Sequence, residues 1–241
     1  MILLSILGAG LFLVSTVVCS VFSVIAALVD RSGKTYLWLA RLWSKSCLLS
    51  FGIRVQLRGA EHIQPGQNYV YAANHSSYMD IPILLAYIPD NLRLTLRSSL
   101  TRIPIWGWAL LVGPFLILDR SNPKHAARMI RRAVERICDG ASVLFFPEGT
   151  RTADGAMQHF KRGAFHLAVE SKVPVLPVAI IGSYHILPRN KWLPRWGCRA
   201  EIRIGEPIYP NEIRLESTSS ERAEEVRLMT EAERRVRAML E

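Results

Sequence analysis

Two short segments of this chain carry side chains suited to proton transfer and anion binding. The first is Asn74-His75-Ser76-Ser77-Tyr78-Met79-Asp80. His75 and Asp80 are five positions apart, and five helical residues turn through about 500°, so an uninterrupted helix would hold them on different faces. A loop that enters a helix near Asp80 would instead bring them together. Asp80 could then accept a hydrogen bond from one imidazole nitrogen and fix the tautomer, leaving the other nitrogen to take a proton from a hydroxyl. The second segment is Phe146-Pro147-Glu148-Gly149-Thr150-Arg151. Glu148 and Arg151 flank a turn in which Gly149 permits backbone geometry that other residues resist. An arginine beside such a turn is suited to gripping a phosphate through paired N–H donors. Taken singly, each segment has an ordinary explanation: a structural histidine, or a strand-end turn with a surface ion pair.

These segments need elements to hold them, and the patterning supplies candidates. Ile53, Val55 and Leu57 alternate with polar residues, as in a half-exposed strand. Residues 68–73 and 92–96 are two further candidates. Residues 115–118, 143–146 and 175–180 are continuous apolar runs of the kind that form strands covered on both faces. Ala200, Ile202 and Ile204 mark a seventh strand. Ser121-Asn122-Pro123 opens a helix through about Cys138, with Met129, Ile130, Ala133, Val134 and Ile137 on one side. Residues 160–171 read as another helix. Thr218 and Glu221 form a capping box for a last, charged helix striped by Val226, Met229, Val236 and Met239. Both chemical segments directly follow apolar strands. The order predicts an α/β fold, a mixed sheet sandwiched by helices.

The first charged side chain is Asp30; residues 1–29 carry none. About 20 apolar residues suffice to cross a hydrocarbon core of about 30 Å. The segment lacks the basic start and short apolar centre of a secretory signal, so a retained anchor is expected. Residues 34–51 mix aromatic, aliphatic and basic side chains, which suits a helix in the membrane interface or one packed on the domain behind it. The expected organisation is therefore an anchoring segment over 1–51 and a catalytic domain over 52–241 that ends in an amphipathic helix. Arg31 and Lys34, just after the apolar run, favour a catalytic domain facing the cytoplasm, in a bacterial-type cell at the inner membrane. The net charge of +10 fits an anionic membrane surface. No zinc-finger spacing, helix-turn-helix or RNA-binding aromatic motif is present, so no nucleic-acid partner is expected. The four cysteines (Cys19, Cys47, Cys138, Cys198) have no metal-ligand spacing, and no metal site is predicted.

Taken together, the motifs resemble those of the glycerolipid acyltransferase family, and specifically 1-acylglycerol-3-phosphate acyltransferases. The resemblance covers residues 51–209. In order, the chain carries Asn74 to Asp80 (Asn-His-x4-Asp), Gly113 to Leu118 followed by Asp119-Arg120, Phe146 to Arg151, and Val173-Pro174-Val175-Leu176-Pro177-Val178. Phe160-Lys161-Arg162-Gly163 also looks like the family's Phe-Lys-x-Gly stretch. The chain departs from the family in two places. Arg97-Ser98-Ser99-Leu100 stands where many relatives have Lys-x-Glu-Leu, and Thr152 stands where they have Ser.

The resemblance implies that His75, oriented by Asp80, deprotonates the free sn-2 hydroxyl of lysophosphatidic acid as it attacks an acyl thioester. Arg120 and Arg151 would clamp the phosphate, with Arg97 as a further contact. Glu148 would orient the glycerol hydroxyl or Arg151; Gly149 and Thr150 would shape the turn. No cofactor is implied, only an acyl-CoA or acyl carrier protein thioester as co-substrate, with the bilayer as partner. The absence of a Gly-x-Ser-x-Gly elbow agrees with direct attack by the acceptor. Other acceptors remain open: glycerol 3-phosphate, another lysophospholipid or a lyso-aminolipid. So does a lipid-binding protein without catalysis.

Overall fold

The computed structural model describes residues 2–30, 32–118, 123–210 and 221–241, the side chains of 123–127 excepted. A seven-stranded sheet has the order β1-β7-β6-β2-β5-β3-β4. The strands are β1 (Arg54–Arg58), β2 (Val70–Ala73), β3 (Leu92–Arg97), β4 (Leu116–Leu118), β5 (Ser142–Phe145), β6 (Val175–Ile181) and β7 (Arg199–Ile204). All neighbours pair in parallel except β6 and β7, so the sheet is mixed, as the patterning predicts. The helices are α1 (Ile2–Val29), α2 (Lys34–Ser50), α3 (Asp80–Tyr87), α4 (Trp106–Val112), α5 (Pro123–Cys138), α6 (Gly163–Ser171), α7 (Ser183–Ile186) and α8 (Glu221–Leu240).

The central strands are apolar on both faces because both faces are covered. Tyr69, Tyr71 and Ala73 pack with α2 and α3, while Val70 and Ala72 alternate to the opposite side, under α5, α6 and α8. On α5, Met129, Ala133 and Ile137 form the buried line. The buried line of α8 differs from the expected one. It runs through Leu228, Ala232 and Val236 at i, i+4 spacing, and Val226 is exposed. Ala232 is small and easily overlooked in a hydrophobic stripe, yet it lies in the middle of the buried face. The capping-box threonine, Thr218, lies outside the described residues.

Residues 160–162, expected in a helix, lead into α6 as a loop. The Phe160 amide donates to Glu233 Oε2 at 2.9 Å, and the Lys161 amide to Pro147 O at 2.9 Å. The helix itself begins at Gly163, with Arg162 at its cap position.

At the other end, α1 is a 28-residue apolar helix with an inverted surface. Its buried positions are Ser5, Gly8, Ser20, Ser23 and Ala26, whereas Leu3, Leu7, Leu11, Leu28 and Val29 are exposed. Small residues let α1 lie close on α2: a Cβ at Gly8 would fall 2.1 Å from the Ser50 carbonyl oxygen. Trp43 Nε1 also donates to Thr16 Oγ1 at 2.9 Å. Of the two readings of residues 34–51, packing on the domain is the one observed on the inner face. There Tyr36, Leu37, Cys47 and Leu48 join the core, while Trp38, Leu42 and Leu49 point outward.

Candidate active site

Strands β2 and β5 are adjacent and parallel, so the segments that follow them emerge side by side at the carboxyl edge of the sheet. In open α/β sheets this edge is the general place for ligands. Hydrogen bonds join the two segments. The His75 amide donates to Glu148 Oε1 at 2.6 Å, and the Thr152 amide donates to His75 O at 2.9 Å. On the other flank, Asn74 pairs with β6 as a strand residue would: its Nδ2 donates to Ile180 O at 3.0 Å and its Oδ1 accepts from Ile180 N at 2.7 Å.

The chain turns after His75 and enters α3 at Asp80, the geometry that the five-residue spacing requires. Asp80 is fully buried, and its Oδ2 lies 2.7 Å from His75 Nδ1. The same oxygen accepts the Ser76 and Ser77 amides at 2.8 and 2.9 Å. In the neutral imidazole, Nδ1 as donor to the carboxylate leaves the lone pair on Nε2. The imidazole stacks on Phe146, with ring centroids 3.9 Å apart and planes 16° from parallel, which fixes the ring about its second torsion.

His75 opens onto a cavity of about 540 Å³ that is also lined by Gly149, Thr150, Arg151 and Arg97. The structure thus brings five of the expected site residues to one space. Asp80 and Glu148 lie behind its wall, and Arg120 lies outside the described residues. Gly149 has φ +82°, a left-handed conformation that favours glycine. Thr150 Oγ1 donates to the Arg151 carbonyl at 3.1 Å.

Glu148 sits differently from expectation. It was expected to face the substrate or Arg151; instead both its oxygens accept backbone amides, from His75 and from Gln158 at 2.8 Å. Burial pushes its pKa up to about 7; the two amide donors and Arg237 oppose this, and the Asp80 charge adds to it.

Three further residues at the cavity carried no distinct sequence signal. Arg151 Cζ lies 3.4 Å from the centroid of the Tyr78 ring, a cation–π contact. Arg102 and Arg189 complete a set of four arginines with Arg97 and Arg151, and no acidic side chain lines the cavity among the described residues. Tyr78 falls among the unassigned positions of its motif, and Arg189 in a basic stretch that equally suits a membrane-facing loop.

Beside this polar cavity lies an apolar one of about 450 Å³, and Tyr78, Ile81 and Leu100 line both. Its walls include Phe12, Leu13 and Val17 of α1, with Ile103 and Trp106. Trp108, two residues beyond Trp106, is exposed instead. Of the remaining histidines, His62 bonds Ile204 O, His159 pairs with Glu233 and His166 with Glu225, all away from the cavity. The side chain of His125 lies outside the described residues. Among the described residues no group of three or more His, Cys, Asp or Glu is placed to hold a metal ion.

Comparison with known proteins bears on the family and the fold. Residues 54–181 match a family model described as "Acyltransferase". The chain is 32% identical over 216 residues to a 1-acyl-sn-glycerol-3-phosphate acyltransferase of Saccharomyces cerevisiae, covering 87% of this chain and 70% of that protein. It is 32% identical over 184 residues to the chloroplastic 1-acyl-sn-glycerol-3-phosphate acyltransferase BAT2 of Brassica napus, covering 76% of this chain and 53% of that protein. The chain therefore spans about half the length of the chloroplastic relatives it matches. Its fold is similar to the crystal structure of the 1-acyl-sn-glycerophosphate (LPA) acyltransferase PlsC from Thermotoga maritima. The TM-score is 0.77 at 28% identity, covering 99% of this chain and 96% of that one.

Proposed function

Because this chain belongs to the acyltransferase family, we propose that it transfers a fatty-acyl group from an acyl thioester to the sn-2 hydroxyl of 1-acylglycerol 3-phosphate, giving phosphatidic acid. The observation that carries this reading is the His75 imidazole, held by Asp80 on one nitrogen and opening onto a cavity lined by four arginines and, among the described residues, by no acidic side chain. A base at that point needs an acceptor hydroxyl, and the arginines need an anion. A lysophosphatidate supplies both in one molecule.

In this mechanism Nε2 of His75 removes the hydroxyl proton as the oxygen attacks the thioester carbonyl, and Asp80 stabilises the imidazolium that forms. The tetrahedral adduct collapses, the C–S bond breaks, and the proton on Nε2 passes to the departing thiolate. No enzyme nucleophile takes part. Arg151 and Arg97 bind the acceptor phosphate. Glu148 acts as a positioning residue that holds the His75 backbone. The apolar cavity receives acyl chain, to the extent of about 0.8 kcal/mol per buried methylene. The donor is acyl-CoA or acyl carrier protein, both acidic and both suited to the arginine-rich mouth.

In this reading α1 anchors the enzyme to a bilayer, with its leucines and valines outward, and the catalytic domain faces the cytoplasm at the inner membrane. The test is acyl transfer from a labelled thioester to lysophosphatidic acid in membranes holding wild-type or His75→Ala protein. Labelled phosphatidic acid from the wild type alone supports the reading. Labelling of other lysolipids but not of lysophosphatidic acid would leave the family and discard the acceptor.

A further inference from the structure

Arg189 belongs to none of the motifs shared with the family, yet it is fixed beside the site. Its Nη1 donates to the Arg151 carbonyl at 3.0 Å, and it lines the same cavity as His75 and Arg151. The loop that carries it is tied down on both sides. The Leu187 carbonyl accepts from Ser77 Oγ at 2.9 Å, within the His75–Asp80 turn, and Arg195 N closes the loop onto Ile186 O at 2.9 Å. Arg189 is therefore two residues from a direct bond to the turn that holds the base. Its side chain is exposed, so a ligand can reach it.

The electrostatics at this point are unbalanced. Arg151 Nη1 is buried and has no hydrogen-bond partner. Desolvation holds the Arg151 pKa below that of a free guanidinium, and the neighbouring Arg189 charge adds to this, while Tyr78 and Asp80 oppose it. The two arginines bring like charge together at one cavity that no acidic side chain lines among the described residues, and an anion bound there would relieve their repulsion. A phosphomonoester carries a charge of about −1.5 to −2 near neutral pH and offers three oxygens, whereas a phosphodiester carries a single charge.

Resting on the lysophosphatidate reading above, we propose that Arg189 is a specificity-determining residue for the acyl acceptor. With Arg151 it binds the terminal phosphomonoester, and so selects a doubly charged phosphate over a phosphodiester headgroup. The bond to the Arg151 carbonyl uses one N–H of Arg189 and leaves the rest of the fork for phosphate oxygens.

The test compares wild type, Arg189→Ala and Arg189→Lys in full-length protein. Kinetics are measured with lysophosphatidic acid, with lysophosphatidylglycerol as acceptor or, where it is not acylated, as competitive inhibitor, and with acyl-CoA as varied donor. For Arg189→Ala, the expected result is a rise in KM for lysophosphatidic acid of about 10- to 100-fold, the loss of one or two charge-assisted hydrogen bonds. The same variant keeps kcat, the KM for acyl-CoA and the constant for lysophosphatidylglycerol within about threefold of wild type, since it touches neither the base nor the diester. Arg189→Lys, which keeps the charge, recovers part of the loss. An active wild type with an unmoved KM in Arg189→Ala overturns the proposal. So does an equal loss for both lysolipids with a fall in kcat, which would assign Arg189 to supporting the Arg151 backbone. A KM effect confined to acyl-CoA overturns it as well, in favour of the donor's phosphates. A wild type silent towards lysophosphatidic acid sinks this proposal together with the acceptor reading.

Discussion

Nδ1 of His75 lies 2.7 Å from Oδ2 of Asp80, and that single oxygen also accepts the amides of Ser76 and Ser77. The carboxylate thus has two roles, orienting the imidazole and folding the turn that carries it. Its other oxygen, Oδ1, is buried and has no hydrogen-bond partner.

These two roles separate by substitution. Asp80→Asn can present its carbonyl oxygen to all three donors and place its NH2 where Oδ1 was, so the turn should survive. It lacks the charge that stabilises an imidazolium, and transfer should fall by about 10²- to 10⁴-fold. Asp80→Ala leaves two buried amides unpaired, each costing about 1–3 kcal/mol, and should also melt at lower temperature. His75→Ala should lose activity to the level of Asp80→Asn or below, with little change in melting. Thermal melts and initial rates on the three variants check this; equal melting of Asp80→Ala and wild type would contradict it.

Glu148 predicts a pH dependence of stability. Its folded pKa of about 7 lies above that of a free carboxyl, so the folded state holds a proton that the unfolded chain has released. The stabilising contribution is complete below the unfolded value near 4.5 and is lost as pH rises through about 7. Glu148→Gln has no such titration. It also presents an NH2 to one of the two backbone N–H donors and should be about 1–3 kcal/mol less stable at low pH. Denaturant midpoints between pH 5 and 8 should show the difference between wild type and variant shrinking as pH rises; a constant difference would rule out this linkage.

Asn74 substitutes for a strand residue against Ile180. An Asn74→Asp variant turns the Nδ2 donor into a second acceptor facing the Ile180 carbonyl, so it should be less stable than Asn74→Ala, which leaves two buried groups unpaired. Each unpaired group costs about 1–3 kcal/mol. Melting temperatures in the order wild type, Ala variant, Asp variant are expected, and the reverse order of the two variants would refute the pairing argument.

The Tyr78 ring beneath Arg151 should be dispensable in its hydroxyl and needed in its face. Tyr78→Phe should retain the wild-type KM for the phosphate-bearing acceptor within about twofold. Tyr78→Leu should raise it by roughly 2- to 30-fold, the equivalent of a cation–π contact of about 0.5–2 kcal/mol. If both variants match wild type, Arg151 is positioned by other means.

Much of the architecture follows from local sequence. The seven strands are visible in period-two and continuous apolar runs, because a strand covered on both faces admits little else. The apolar α1 is equally plain, since 29 residues without charge suit no aqueous surface. The start of α6 and the rotation of α8 were not legible. Both are settled by tertiary contacts: the Phe160 and Lys161 amides meet Glu233 and Pro147 ahead of the helix, and Ala232 joins the core beneath the sheet.

The site divides the same way. Residue types and their order pointed to a candidate base, an acid to orient it and an arginine suited to phosphate, and only the resemblance of the ordered motifs to a known family joined them into one expected site. The sequence left Glu148 free to face substrate, and hid that Tyr78, Arg102 and Arg189 line the same cavity as His75. Which atoms of Glu148 meet which amides, and which arginines face one cavity, depends on parallel strands far apart in the chain bringing their carboxyl ends to one edge. That convergence is a property of strand order in the sheet. No local pattern encodes it, because each strand's hydrophobic pattern specifies which faces are covered and not which neighbour it pairs with.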